Sequence, residues 1–251
     1  MEKVLLYFSL KYNGNWDKIY SALENKEKIL HSQLEDIENN IDCDFITILN
    51  PLYPSYLKTT HKPPFVIFYK GNIELITKYN KNISVIGGKE FSDQGLKNTY
   101  KIIKELNEEK RIIVTYQNAG INDAIIDLCK EENYESIVVL SNSMKSYLDL
   151  TKNSSPTNNK LYISENYNSC EIDKILYSEY VNRLICGLSK GLLFTQYSFS
   201  DSYFSLVNYA INEGKEIFAM PSNDKKLNET NKLIKMGAKF TENAKDIVNE
   251  I

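Results

Sequence analysis

The chain from residue 83 onward alternates short apolar runs with amphipathic stretches, and this alternation limits its fold more than any other feature. The runs are rich in β-branched residues and predict strands at residues 83–86, 112–114, 137–140, 161–164, 192–195 and 216–219. Apolar residues at helical spacing predict helices at 94–107, 122–131, 172–186, 203–213, 229–236 and 244–251. Such alternation predicts right-handed crossovers and an α/β fold with a doubly wound, mostly parallel sheet.

The first part of the chain carries a different pattern. Apolar residues recur with helical period through residues 1–45, with a turn at Asn13-Gly14-Asn15, and predict a small helical subdomain. The alternative is a helical appendage that only packs on the main domain, which we place at residues 46–251. Two further strands are predicted at 45–49 and 65–69, on either side of a proline-rich segment, and a flexible surface loop at 144–159.

A glycine pair follows the strand predicted at 83–86. Gly87 and Gly88 end the apolar run, Lys89 adds a positive charge, and Ser92 can cap the next helix, in which Gly95 lies in the first turn. A strand, a glycine turn and a helix N-terminus together form a typical anion site. The spacing matches neither a dinucleotide fingerprint nor a Walker loop, and an ordinary strand–turn–helix corner is the alternative.

The composition narrows the function. The formal net charge of -3 means that any nucleic-acid site must be a local patch. Four scattered cysteines and two histidines form no zinc pattern and fit reduced thiols in a cytoplasmic protein. No apolar run approaches the ~20 residues of a membrane span, and the first ten residues do not form a signal peptide. We find no catalytic set, and therefore predict no enzyme activity, metal or cofactor.

Seven short motifs, in order over roughly residues 50 to 251, carry a family resemblance. They are Tyr53-Pro54 with Pro63-Pro64 and Lys70-Gly71-Asn72; Val85-Ile86-Gly87-Gly88-Lys89 with Ser92 and Gly95; Gly120-Ile121-Asn122; Ile163-Ser164-Glu165; Asn182-Arg183 through Gly187-Leu188-Ser189; Ile217 through Pro221; and Asn231 with Leu233, Ile234, Gly237 and Ala238. Together they resemble the motifs of the DprA/Smf family, the bacterial DNA-processing proteins A.

The resemblance implies an extended Rossmann-like domain. Because the sequence ends at Ile251, directly after the last predicted helix, we expect no C-terminal winged-helix domain. It also implies a homodimer that binds single-stranded DNA in DNA uptake and recombination and loads the RecA recombinase onto it. By the same resemblance, the expected DNA- or phosphate-binding residues are Gly87, Gly88, Lys89, Ser92, Gly95, Asn182, Arg183 and Asn231. We further expect Lys89 and Arg183 to face one locally positive cleft, with side-chain ends within about 15 Å.

The chain also departs from the family pattern at several motif positions. A lysine, Lys89, stands where the family has arginine, which keeps the charge but loses the bidentate fork. Other departures are Thr115-Tyr116 for Ser-Gly, Asn122 for Asp, Ile125-Ile126 for Ala-His, Val181 for Arg, Gln196 for Glu, Asp201-Ser202 for Ser-Gly and Ser222 for Gly. Two alternatives therefore stay open: a degenerate scaffold with weak DNA binding, and a nucleotide-binding Rossmann-like protein.

Overall fold

The computed structural model describes residues 1–151, 156–168 and 174–251. Within this part of the chain, nine strands form one sheet. They are β1 (Asp44–Thr47), β2 (Val66–Gly71), β3 (Asn82–Ile86), β4 (Ile112–Tyr116), β5 (Ser136–Val139), β6 (Lys160–Ser164), β7 (Gly191–Phe194), β8 (Glu216–Ala219) and β9 (Lys239–Phe240). The helices are α1 (Glu2–Lys11), α2 (Trp16–Glu24), α3 (His31–Glu35), α4 (Ser55–Lys58), α5 (Asp93–Glu108), α6 (Ile121–Glu131), α7 (Met144–Leu150), α8 (Lys174–Gly187), α9 (Phe204–Asn212), α10 (Glu229–Lys235) and α11 (Lys245–Val248).

The order of the strands is β1-β2-β6-β5-β4-β3-β7-β8-β9. From β6 to β9 all neighbours are parallel, whereas β2 pairs antiparallel with both β1 and β6. The predicted doubly wound, mostly parallel α/β fold is therefore confirmed. The direction of winding reverses at β3, which lies between β4 and β7. In sheets of this kind, ligands bind beyond the carboxyl ends of the strands at this switch point.

The side chains of β3 alternate between the two faces of the sheet and are buried on both. Ile83 and Val85 pack with α5, α6 and α11, while Ile86 packs in the apolar cluster that α8 and α9 contribute to on the other face. All five residues of β3 are buried. A strand covered on both faces is rich in apolar residues, which is why the apolar run at residues 83–86 predicted β3 correctly.

The N-terminal helices pack on the sheet. Leu5 and Leu6 of α1 lie in one apolar cluster with Val66 and Phe68 of β2 and Val138 of β5. Helices are present where the sequence predicted them, and they share this core with the strands. The division into a subdomain at residues 1–45 and a main domain at 46–251 stays a prediction.

The structure corrects the surface loop that we predicted at residues 144–159. Residues Met144–Leu150 form α7, because the Ser143 hydroxyl accepts a hydrogen bond from the Ser146 amide and caps the helix. Residues 152–155 of the predicted loop lie outside the described residues, as do residues 172 and 173 of the helix predicted at 172–186. The two-residue strand β9 is too short to leave a periodic pattern. No helix in the described ranges is long and apolar enough to span a bilayer.

Candidate functional site

The Gly-Gly turn lies at the carboxyl end of β3, where the winding of the sheet reverses. Its backbone amides are already bonded inside the protein. The Gly87 amide donates to Asn122 Oδ1 at 2.8 Å, and the Gly88 amide donates to the carbonyl oxygen of Gln196 at 2.7 Å. The Lys89 amide donates to Asp201 Oδ1 at 2.9 Å. We expected Gly87, Gly88 and Lys89 to bind a phosphate, and the structure differs because the start of α6 and the segment after β7 already supply acceptors for their amides.

The carbonyl groups of the turn are fixed in the same way. The Tyr203 hydroxyl donates to the Gly87 carbonyl at 2.6 Å, and the Ile121 amide donates to the Gly88 carbonyl at 2.9 Å. Burial raises the pKa of Tyr203 well above its ordinary value, so this hydroxyl keeps its proton and remains a donor. The turn is therefore held by the loops after β4 and β7 through both its donors and its acceptors.

Close packing explains the glycines of this region. A Cβ atom on Gly88 would lie 2.5 Å from Asp201 Oδ2, and one on Gly87 would lie 2.8 Å from Thr195 Oγ1. Gly120, at the start of α6, has φ +87° and would place a Cβ against the carbonyl oxygens of Gly88 and Lys89. These glycines allow protein segments to approach one another, which explains them without any ligand.

The Gln196 side chain connects the start of α5 to the segment after β8. Its Oε1 accepts from the Ser92 amide at 2.9 Å, and its Nε2 donates to Ser222 Oγ at 3.2 Å. Asn231 holds the Ser222 backbone from both sides, since its Nδ2 donates to the Ser222 carbonyl and its Oδ1 accepts from the Ser222 amide. The predicted residues Gly87, Gly88, Lys89, Ser92, Gly95 and Asn231 are thus brought into one network.

A polar cleft of about 340 Å³ opens beside this network. Ser92 and Gly95 lie on one wall, and Gln196 and Asp224 on others. The Ser92 hydroxyl caps α5 by accepting from the Gly95 amide at 3.0 Å. The amides of Lys226 and Leu227 lower the pKa of Asp224, which keeps this carboxyl ionised. The cleft is therefore polar, with a negative charge at its rim.

Several side chains on the segment after the Gly-Gly turn are exposed to solvent. Lys89 is exposed, and Phe91 has an exposed fraction of 40%. The acidic residues Glu90 and Asp93 are exposed on the same segment. We predicted a locally positive cleft, but the single turn lysine is accompanied by carboxylates, because the sequence alternates the two signs here.

Arg183 is paired with a buried carboxylate. Its Nε and Nη2 donate to the two carboxylate oxygens of Glu165, at 3.0 and 2.5 Å, and both side chains are at most 4% exposed. The common open cleft that we expected for Lys89 and Arg183 is therefore wrong: the guanidinium is buried in an ion pair between α8 and the segment after β6. Asn182 is also buried and donates to Ser205 Oγ at 3.3 Å, which links α8 to α9.

Tyr116 fills the space at the end of β4. Its side chain is 7% exposed and packs in the same apolar cluster as α8 and α9. The side-chain Nδ2 of Asn118 donates to the Tyr116 hydroxyl at 3.2 Å. The tyrosine stands where the family pattern has glycine, so its ring fills space that a glycine would leave empty.

Sequence reasoning missed the acceptors that occupy the turn. Asn122, Gln196 and Asp201 are distant from Gly87 in sequence. All three were noted as departures from the family pattern, and Asn122 also within a motif, but none was predicted to bond to the turn. A usable signal existed: each lies within a few residues of the end of a predicted strand or at the start of a helix, at the edge where the turn lies. Among the described residues, no group of three or more His, Cys, Asp or Glu side chains could hold a metal ion.

Comparison with known proteins identifies the family. The model of the DNA recombination-mediator protein A family matches residues 44–251, which is most of the chain. The chain belongs to this family. It is 27% identical over 209 residues to the DNA processing protein DprA of Streptococcus pneumoniae, covering 81% of this chain and 73% of that protein. It is 26% identical over 211 residues to the Bacillus subtilis DprA, covering 82% of this chain and 70% of that protein.

Solved structures agree with the fold of this DNA recombination-mediator protein A family member. The X-ray structure of the Streptococcus pneumoniae DprA superposes with a TM-score of 0.74 at 22% identity, over 100% of this chain and 98% of that one. The DprA of Helicobacter pylori superposes with a TM-score of 0.66 at 18% identity, over 83% and 96% of the two chains. The expected membership of the DprA/Smf family is confirmed, as is its Rossmann-like fold.

The packing around the turn makes a testable prediction about stability. Gly120→Ala should lower the free energy of unfolding by roughly 4 kcal/mol or more, since both its backbone angles and its neighbours exclude a side chain. Gly214→Ala is the matched control, because Gly214 also has positive φ but nothing lies within 4 Å of its Cβ position. The control should lose only about 1–2 kcal/mol. Urea unfolding measures both, and equal losses would contradict the packing argument.

Proposed function

We propose that this chain is a single-stranded DNA-binding DNA-processing protein. In this proposal it protects incoming or exposed single strands in the cytoplasm and helps to load the RecA recombinase during DNA uptake and recombination. Family membership over residues 44–251 is the observation that carries the proposal. The Streptococcus pneumoniae and Bacillus subtilis relatives are DNA processing proteins, and the Helicobacter pylori protein of the same fold binds single-stranded DNA.

The carboxyl edge at β3 is the surface that we propose for the strand. Lys89 can pair with a phosphate, and the exposed ring of Phe91 can stack on a base, since every base has a π-face. Ser92 and the amide side chains of Gln94 and Asn98 add hydrogen-bonding groups along the cleft. A turn fixed by hydrogen bonds presents these side chains from a backbone that needs no further ordering, which favours binding. Arg183 is left out of the proposed surface, because a phosphate would have to displace Glu165.

A degenerate scaffold with weak DNA affinity is the second candidate, and specific observations favour it. The turn amides are occupied, Arg183 is buried, and carboxylates accompany Lys89. The nucleotide-binding alternative has less support. The turn amides already donate to protein acceptors, and the Tyr116 ring fills the space at the end of β4. We predict no catalytic role for any of these residues.

Titration with labelled oligo-dT, in competition with free mononucleotides, separates the three candidates. We expect saturable oligo-dT binding that weakens as salt rises and that mononucleotides do not reverse. Weak binding without saturation would favour the degenerate scaffold. Full reversal by a mononucleotide would favour the nucleotide-binding protein and refute our proposal.

Lys89→Ala tests the surface itself. The variant should bind oligo-dT more weakly than wild type, and its affinity should depend less steeply on salt, because one phosphate contact no longer releases a counterion. Lys104→Ala is the control, since Lys104 is exposed on α5, the helix that follows the turn, about three turns beyond the start of that helix. Fluorescence anisotropy over a salt series measures both variants. Identical slopes for Lys89→Ala and wild type would remove Lys89 from the site.

Homodimer formation belongs to the same proposal. An apolar groove runs between α9 and α10, and two of its large side chains are mostly exposed, Phe204 at 68% and Met236 at 69%. Apolar patches of this kind usually mark interaction surfaces. Glu229 and Lys232 border the groove, so a second copy could place opposite charges against each other.

A charge placed in this groove should break the dimer. We expect wild type to elute as a dimer and Phe204→Glu as a monomer, because a buried unpaired carboxylate opposes association. Leu150→Glu is the matched control, as Leu150 is 80% exposed on α7 and should leave the dimer intact. Size-exclusion chromatography with light scattering measures the masses. A monomeric wild type would refute the homodimer.

A further inference from the structure

A further cleft lies at the opposite edge of the sheet from the Gly-Gly turn. It measures about 400 Å³ and lies between residues 51–56 and residues 76–81. Residue 81 immediately precedes β3, whereas the Gly-Gly turn immediately follows it. The cleft is therefore at the amino-terminal edge, separated from the turn by the length of β3, about 16 Å.

The lining of this amino-edge cleft combines aromatic rings with positive charge. Tyr56 and Tyr79 stack with ring centroids 3.7 Å apart and planes 12° apart, and 47% of Tyr56 is exposed. Lys78 and Lys81 also line the cleft, and none of its described lining residues is acidic. The lining of this cleft is therefore positively charged, although the whole chain has a net charge of -3.

The stack is fixed in place from behind. Lys215 Nζ donates to the Tyr79 hydroxyl at 2.8 Å and lies 5.0 Å from the centre of its ring. Burial raises the pKa of Tyr79 to about 12, so the ring stays neutral. Arg111 Nη1 donates to the Asn80 carbonyl at 2.8 Å and holds the segment beside the rings. The outer face of Tyr56 is thus a preorganised stacking surface.

Lys78 is only partly committed to a partner. Its Nζ lies 2.8 Å from Glu135 Oε1, with about a third of each side chain exposed, a pair that salt and a competing anion weaken readily. Lys81 is exposed next to the rings. A phosphate placed against these two lysines would put its attached base within reach of the exposed tyrosine.

We propose that the amino-edge cleft is a second contact site for single-stranded nucleic acid, with a base stacked on Tyr56 and a phosphate paired with Lys81 and Lys78. Aromatic platforms bordered by cations bind single strands without reading their sequence. The site rests on the proposed function for its ligand class, and it adds a place where a strand held at the Gly-Gly edge continues across the protein. A purely apolar peptide would not account for the lysines, and a purely acidic one would not account for the exposed ring.

Oligonucleotide length separates this site from the first one. A strand of about six nucleotides should occupy the Gly-Gly edge alone, whereas one of about thirty can reach both edges. Tyr56→Leu removes the ring but keeps an apolar side chain, and it should weaken binding of the long strand about five-fold or more, the loss expected for one base stack. Binding of the short strand should not change. Tyr56→Phe is the matched control and should bind like wild type.

Two further measurements guard against an unfolded variant or a failed first site. Lys81→Glu, on an exposed side chain, should also weaken only the long strand. A long oligonucleotide carrying 5-iodouracil should cross-link under ultraviolet light to the peptide that contains Tyr56, and this holds even if Lys89→Ala changes nothing. The proposal would be overturned if Tyr56→Leu and Lys81→Glu both bound the long strand with wild-type affinity, or if cross-linking left this peptide unmodified. Either result would leave the proposed site at the Gly-Gly edge unaffected.

Discussion

Two consecutive backbone amides after β3, those of Gly87 and Gly88, donate to acceptors that come from the start of α6 and the end of β7. Tyr203 and Ile121 return hydrogen bonds to the carbonyls of the same two residues. Each such bond contributes only about 1 kcal/mol net, but a buried group left without a partner costs more. The four bonds therefore fix the Gly-Gly turn, the start of α6 and the segment after β7 relative to one another at the switch point of the sheet.

This arrangement changes how the edge can bind a nucleic acid. Amides engaged with protein acceptors cannot also receive a phosphate, so affinity must come from side chains that the turn displays, chiefly Lys89 and Phe91. Side-chain contacts of this type depend on salt and are tolerant of sequence. The amino-edge cleft, built on Tyr56 and Lys81, has the same chemistry. On this account the protein binds a strand by stacking and point charges at two edges, with the sheet as a rigid frame between them.

The sequence predicted the fold well and the site poorly, for physical reasons. Buried parallel strands such as β3 are rich in apolar residues, and the helices that cover them show a 3.6-residue period. Both patterns can be recognised from neighbouring residues in the sequence. The partners of a polar side chain are not local. Arg183 and Glu165 were both visible as charged motif residues, yet only the packing of α8 on the end of β6 shows that they neutralise each other. Gln196 reaches Ser92 across 104 positions of sequence, which periodicity does not reveal.

Amide hydrogen exchange at Gly87 and Gly88 tests the central claim most directly. In the free protein both amides should exchange as slowly as those of the core strands, because they donate to buried protein acceptors. Addition of oligo-dT should leave their rates nearly unchanged while it perturbs the resonances of Lys89 and Phe91. Fast exchange in the free protein, followed by strong protection on binding, would mean that the turn is an open phosphate cradle and would contradict the account.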